Sequence, residues 1–299
     1  MELIDLPPEL IEDILVLCDP LEVAKVAQTC VAMRGVIYFS EDSKLWRELY
    51  LSQPFDDPRA CVGQDGNFRP GLINWRKDLQ RIIRARTVVD DLTALKPGEL
   101  EITLQTLLQL VCYVRPWTSN AMLDLSELSA NLLWVAAKLR RGIFDRLQEK
   151  ATTFAERQLA ARLHTYFGLT KGDTIRSSIV RSRALVYLLR NYRPENEYGP
   201  FHPNGTVNWE HIQAIHHVVS THLVDVEENE DFEYAIFPMS LPFTQILIPD
   251  GTSLDEDEDW AGVTGSWDVS FCFCDHRELL SKTISVSNLL YADDLYRIQ

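Results

Sequence analysis

Leu6-Pro7-Pro8-Glu9-Leu10-Ile11-Glu12-Asp13-Ile14-Leu15, closed by Cys18-Asp19-Pro20, is the stretch whose reading decides the fold of the N-terminal region. Two consecutive prolines fix φ where a helix can start, because the first turn does not use their missing N–H groups. Beyond them Leu10, Ile11, Ile14, Leu15 and Leu17 recur at helical spacing, which predicts a short helix from about Pro8 to Leu17. Asp19 then offers a capping carboxylate, and a second helix is expected across Leu21, Val23, Ala24, Val26 and Ala27. Further helical turns over Val31 to Phe39 and Ser43 to Tyr50 complete a compact unit of three or four helices. A unit of roughly fifty residues buries too little surface for comfortable independence. Leu6, Pro7, Leu10 and Ile14 are therefore expected to stay open as an apolar surface for another polypeptide.

The whole chain has 299 residues, 46% of them hydrophobic, enough for one large domain or two smaller ones and too many for general disorder. Its 44 acidic and 29 basic side chains give a formal charge of -15. That sign disfavours non-specific attraction to a phosphate backbone or an anionic membrane, so neither a nucleic acid nor a membrane is expected as a partner. The basic groups Arg76, Lys77, Arg81, Arg84, Arg86 and Lys138, Arg140, Arg141, Arg146 read as solvated helix faces. Met1-Glu2-Leu3 does not begin a secretory signal, and no run approaches the roughly 20 apolar residues of a membrane span. Six cysteines are too sparse for a secreted disulfide framework. The expected location is intracellular, in cytoplasm or nucleus.

Leu6-Pro7-x-Glu9-Leu10-x-x-x-Ile14-Leu15, then Asp19-Pro20-Leu21, Ala27-Gln28-Thr29-Cys30 and Leu45-Trp46-x-x-Leu49-Tyr50, together resemble the F-box over about the first fifty residues. In that family the module binds the linker protein Skp1 and connects a substrate receptor to a cullin-RING ubiquitin ligase. The resemblance implies that Leu6, Pro7, Leu10, Ile14, Leu15 and Pro20 form the Skp1-binding surface, while Cys30 and Trp46 pack within the module. Met33 stands where the family usually carries an aromatic shortly after the cysteine.

Working outward, residues 1–52 read as this module and 53–71, rich in Pro, Gly and Asp, as a linker. Residues 72–170 read as a helical connector, with apolar helical patterns around Trp75 to Ile83, Leu100 to Val114, Leu123 to Leu147 and Thr153 to Phe167. No fixed repeat period appears among them. Residues 171–299 read as a mixed α/β region that recognises a protein substrate. Arg176 to Leu189 fits a helix or a strand, and a helix capped by Asn208 is expected to repeat Ile212, Ile215 and Val219 on one side, with Val218 nearby. Tyr234 to Met239, Phe243 to Ile248 and the alternating Val269, Phe271 and Phe273 have strand composition. The expected class is thus α+β, with antiparallel strands, read as an incomplete β-barrel, at the C-terminal end.

Tyr187-x-x-Arg190-Asn191-Tyr192, Gly199-Pro200-Phe201, Val207-Asn208-Trp209-Glu210-His211 and Asp259-Trp260-Ala261-Gly262-Val263-Thr264-Gly265-x-Trp267 are similar to the region after the F-box in large fungal F-box proteins. The Gly265-x-Trp267 start also resembles the β-barrel receptor domain of human F-box protein 31. Trp209, Trp260 and Trp267 are the candidate substrate-binding aromatics.

Catalytic and metal signatures are missing from the sequence. His211, His216, His217 and His222 lack the spacing of a His-Glu-x-x-His site, and Cys272-x-Cys274-Asp275-His276 lacks a fourth ligand. The run Asp255 to Asp259 reads as a solvated loop, since adjacent loop carboxylates do not straddle a sugar pocket. No nucleophile elbow, phosphate loop or dinucleotide fingerprint occurs, so no cofactor and no catalysis are expected. The sequence reading is a non-catalytic substrate receptor that binds Skp1, and through it a cullin-RING scaffold, together with an unidentified protein substrate. A Skp1-binding adaptor or structural protein outside a ligase is the alternative, with an unrecognised hydrolase behind it.

Overall fold

The computed structural model describes residues 5–39, 43–63, 66–68, 71–116, 128–140, 142–223, 245 and 266. Helix accounts for 61% of it and strand for 3%. The extended residues form isolated antiparallel bridges, Val62 with Phe68 and Val114, and Phe201 with Val207. The α+β expectation is therefore corrected: among the described residues the chain is helical, with no sheet and no barrel. Arg176 to Val186, which fitted either state, is a helix, and the turn-rich segment near Phe201 closes on itself instead of starting a ladder. The strands expected over 234–239, 243–248 and 269–273 lie, Gln245 apart, outside the described residues. By contact the chain divides into two units, residues 1–138 with 241–247 and residues 139–240 with 248–299.

The first unit contains α1 (Pro8–Leu15), α2 (Pro20–Val26), α3 (Val31–Tyr38), α4 (Lys44–Leu51), α5 (Trp75–Asp90), α6 (Leu100–Cys112) and α7 (Ala130–Lys138). Pro8 opens α1, and Asp19 caps α2 by accepting the Leu21 N–H at 2.9 Å, with Pro20 as first helical residue. Ile11, Leu15, Val23, Ala27, Met33, Ile37, Leu45, Trp46, Leu49 and Tyr50 make the core of the first four helices. The Trp46 indole N–H donates to the Ile37 carbonyl at 2.9 Å, which fixes α4 against α3. Tyr50 meets Trp75 at 5.6 Å and Phe55 at 5.7 Å between ring centroids, and Phe55 meets Trp134 at 5.1 Å. Such tilted and edge-on pairs add to burial. α5 and α6 then share an apolar seam of Leu79, Ile82, Ile83, Leu104, Leu107 and Val111.

Charge follows the same frame. Arg86 of α5 donates to Asp19 at 2.8 Å and, as the main cause, holds that carboxyl below its ordinary value. Arg84 forks onto Glu99 at 2.6 and 2.7 Å, keeping the Glu99 carboxyl down at about 2, and Arg76 donates to the Tyr38 carbonyl at 3.1 Å. The segment between α4 and α5 is drawn inward too. Buried Asp56 accepts the Ser129 hydroxyl and, at 2.9 Å, the Ala130 N–H, so it caps α7 from 74 residues away. Buried Gln245 completes the junction by accepting the Ser129 N–H at 2.9 Å and donating to the Arg115 carbonyl at 2.8 Å.

The second unit contains α8 (Ile143–Glu149), α9 (Phe154–Thr165), α10 (Arg176–Val186) and α11 (Trp209–Leu223). The long apolar pattern read over Leu123 to Leu147 is interrupted at Gly142, whose φ of 71° places it in the left-handed region where glycine is unstrained. Thr153 and Glu156 form a reciprocal capping box at the start of α9. Asn208 caps α11 by accepting the His211 N–H at 3.1 Å. α11 packs against both α9 and α10. Its buried face carries His211, Ala214, His217 and Val218, whereas Val219, on the side read as apolar, is exposed.

Candidate functional site

α1 has two unlike sides. Ile11 and Leu15 point into the core, while Leu10 and Ile14 are 49% and 42% exposed. Leu17 at 87% and Leu21 at 42% extend the apolar strip across the turn into α2. Pro7 is exposed and Leu6 half-buried, so four of the six residues assigned to a Skp1 surface present themselves to solvent. Leu15 and Pro20 are buried inside the module. Exposed Glu9, Asp13 and Glu22 flank the apolar residues.

Local geometry explains the arrangement. A helix of eight residues shows about two turns, so side chains three or four apart share a face and their immediate neighbours face away. Leu10 and Ile14 therefore form one stripe and Ile11 and Leu15 the other. The expectation that Cys30 packs inside is corrected: its thiol is exposed and caps α3, accepting the Met33 N–H at 3.5 Å. Met33 itself is buried in the place read as a missing aromatic.

The second unit holds a polar cluster that the sequence reading did not assemble. Asp173, in the loop before α10, accepts from His164 Nε2 of α9 at 2.6 Å and from the Thr170 N–H at 2.8 Å. Burial alone would raise the Asp173 carboxyl, but His164, the Thr170 N–H and His217 outweigh it and hold it at about 2. His217 of α11 sits between the Asp173 main-chain oxygen at 2.9 Å and Ser182 Oγ of α10 at 2.7 Å. Burial lowers His217, and burial together with repulsion from His164 lowers His216 to about 4. His211 instead faces the Tyr192 hydroxyl at 3.3 Å. The signal that could have found the cluster is His211, Ala214, His217 and Val218 falling on one helical face.

Among the described residues no group of three or more His, Cys, Asp or Glu side chains is arranged to hold a metal ion. The His222 side chain, Cys272, Cys274 and His276 lie outside the description. So do Trp260 and Trp267, and the third substrate-binding candidate, Trp209, is half-buried with the Arg162 guanidinium 5.0 Å from its ring centroid. No described helix is long and apolar enough to cross a membrane. Comparison with protein-family models, curated proteins and solved structures finds no match to this chain.

Proposed function

We propose that the first unit carries a docking module that binds Skp1 through Pro7, Leu10 and Ile14, with Leu6, Leu17 and Leu21 widening the contact. The observation that supports the reading is the apolar strip Leu10, Ile14, Leu17 and Leu21, left exposed above a core that is already sealed by Ile11, Leu15 and Trp46. Through Skp1 the chain joins a cullin-RING scaffold and brings to it a protein substrate held elsewhere in the polypeptide. In that role it supplies effective concentration and orientation, with no covalent step.

Affinity purification of the intact chain beside the double variant Leu10→Asp, Ile14→Asp tests the assignment. Each apolar side chain buried by a partner contributes roughly 1.5–3 kcal/mol, so losing two is expected to weaken Skp1 binding at least about 100-fold. Circular dichroism should stay that of the parent chain, because both positions are exposed. Equal retention of Skp1 by parent and variant rejects the surface. Recovery of Skp1 without a cullin replaces the ligase role with that of an adaptor in another assembly.

A further inference from the structure

The second unit aligns a hydroxyl, an imidazole and a carbonyl in a relay for which the docking role has no use. His217 Nε2 lies 2.9 Å from the Asp173 main-chain oxygen. A carbonyl only accepts, so Nε2 carries the proton of the neutral ring and Nδ1 is left with its lone pair. Ser182 Oγ lies 2.7 Å from that Nδ1 and donates to it. Burial keeps His217 below the ordinary histidine value, so it is an unprotonated base at neutral pH. Asp173 Oδ1, 4.0 Å from the same Nδ1, is placed to stabilise the imidazolium that would form. Ser182 and His217 both line a cleft of about 480 Å³. Ile175, Leu185 and Ala214 are the apolar part of a mostly polar lining, in which the carboxylates of Asp145, Glu149 and Glu210 face the same space as the guanidinium groups of Arg157 and Arg181.

We propose that Ser182 is an acyl-accepting nucleophile for short-chain carboxylic esters, with His217 as its general base. Ser182 Oγ adds to the ester carbonyl carbon while its proton passes to His217 Nδ1. The carbon–oxygen bond to the leaving alcohol breaks, the alcohol departs with that proton, and Ser182 is left as an O-acyl ester. Water then adds to the acyl carbon, its proton passing to Nδ1, and the carboxylic acid leaves as Ser182 regains a proton from the imidazolium. Ser182 sits inside α10, where the surrounding N–H groups are used by the helix, so a main-chain oxyanion hole is not part of the arrangement. General-base help alone supplies about 10²–10⁴-fold. Turnover is accordingly slow, and covalent capture is the decisive readout.

The test exposes the full-length chain to a fluorophosphonate probe and maps the adduct by peptide mass spectrometry. Label is expected on Ser182, absent in Ser182→Ala, slowed at least about 100-fold in His217→Gln and kept in Ser178→Ala. In the parent chain the labelling rate should follow one titration with a midpoint below 6.5, the depressed His217 value. A serine that merely ties α10 to α11 gives no adduct, or labels no faster than Ser178, and either result overturns the proposal. So does a rate that stays flat with pH from 4 to 8, a reading that needs no variant to fold. Docking to Skp1 is independent of every one of these outcomes.

Discussion

Asp173 illustrates what a single buried carboxylate can organise. It receives His164 and Thr170 directly, and its main-chain oxygen receives His217, so α9, α11 and the loop before α10 converge on one residue. Removing it leaves the His164 and Thr170 N–H groups without their buried acceptor, at about 1–3 kcal/mol for each unsatisfied group. Asp173→Ala is expected to lose that much in equilibrium urea unfolding; a loss below about 1 kcal/mol would show that the network is not a stabilising brace. Gly172 beside it is needed for close approach. A Cβ there would stand 2.7 Å from Asp145 Oδ1, the atom that accepts the Thr170 hydroxyl at 2.6 Å. Gly172→Ala should therefore cost about 1–3 kcal/mol by overpacking, read in the same unfolding experiment.

At the scale of elements, helix ends were more legible than helix faces. Pro7-Pro8, Asp19-Pro20 and Asn208 are local signals, and each marks a helix start in the structure because capping chemistry acts over two or three residues. The start of α7 also has a local cap, since Ser129 Oγ accepts the Leu132 N–H at 3.2 Å. What no pattern around residue 130 could have revealed is Asp56, which accepts both the Ser129 hydroxyl and the Ala130 N–H. Asp56→Ala would strand the Ser129 hydroxyl and the Ala130 N–H in the interior, at about 1–3 kcal/mol for each unsatisfied group, and faster hydrogen exchange of the α7 amides is the expected result. The buried face of α11 was only partly legible for a related reason. Ile212, Ile215 and Val219 look like the core stripe by hydropathy, but His211 and His217 are buried because Tyr192, Ser182 and Asp173 satisfy their ring nitrogens.

At the scale of the molecule, acid should act first on the second unit. His216 and His217 titrate lower in the folded chain than in the unfolded one, so the unfolded chain binds more protons once pH falls below 6.5. Their contribution is complete above that value and declines as pH approaches about 4, the folded value of His216. Asp173 is lost later, between 3.8 and about 2. Hydrogen exchange followed from pH 7 to 5 should show protection falling in α9, α10 and α11 before α5 and α6, after correction for intrinsic exchange; parallel loss in both units would refute this order. From the sequence alone followed the helical N-terminal module, the open positions of Pro7, Leu10 and Ile14, and the resemblance that suggests a partner for them; that Leu15 and Pro20 turn inward was not legible there. The legible features depend on residues a few positions apart, where periodicity and capping act. The reach of Asp56 and Gln245 to the start of α7 and the bonds that draw α10 and α11 onto Asp173 were decided by tertiary structure, because they join groups as far apart as Ser129 and Gln245, whose polar atoms become compatible with burial only once each has found the other.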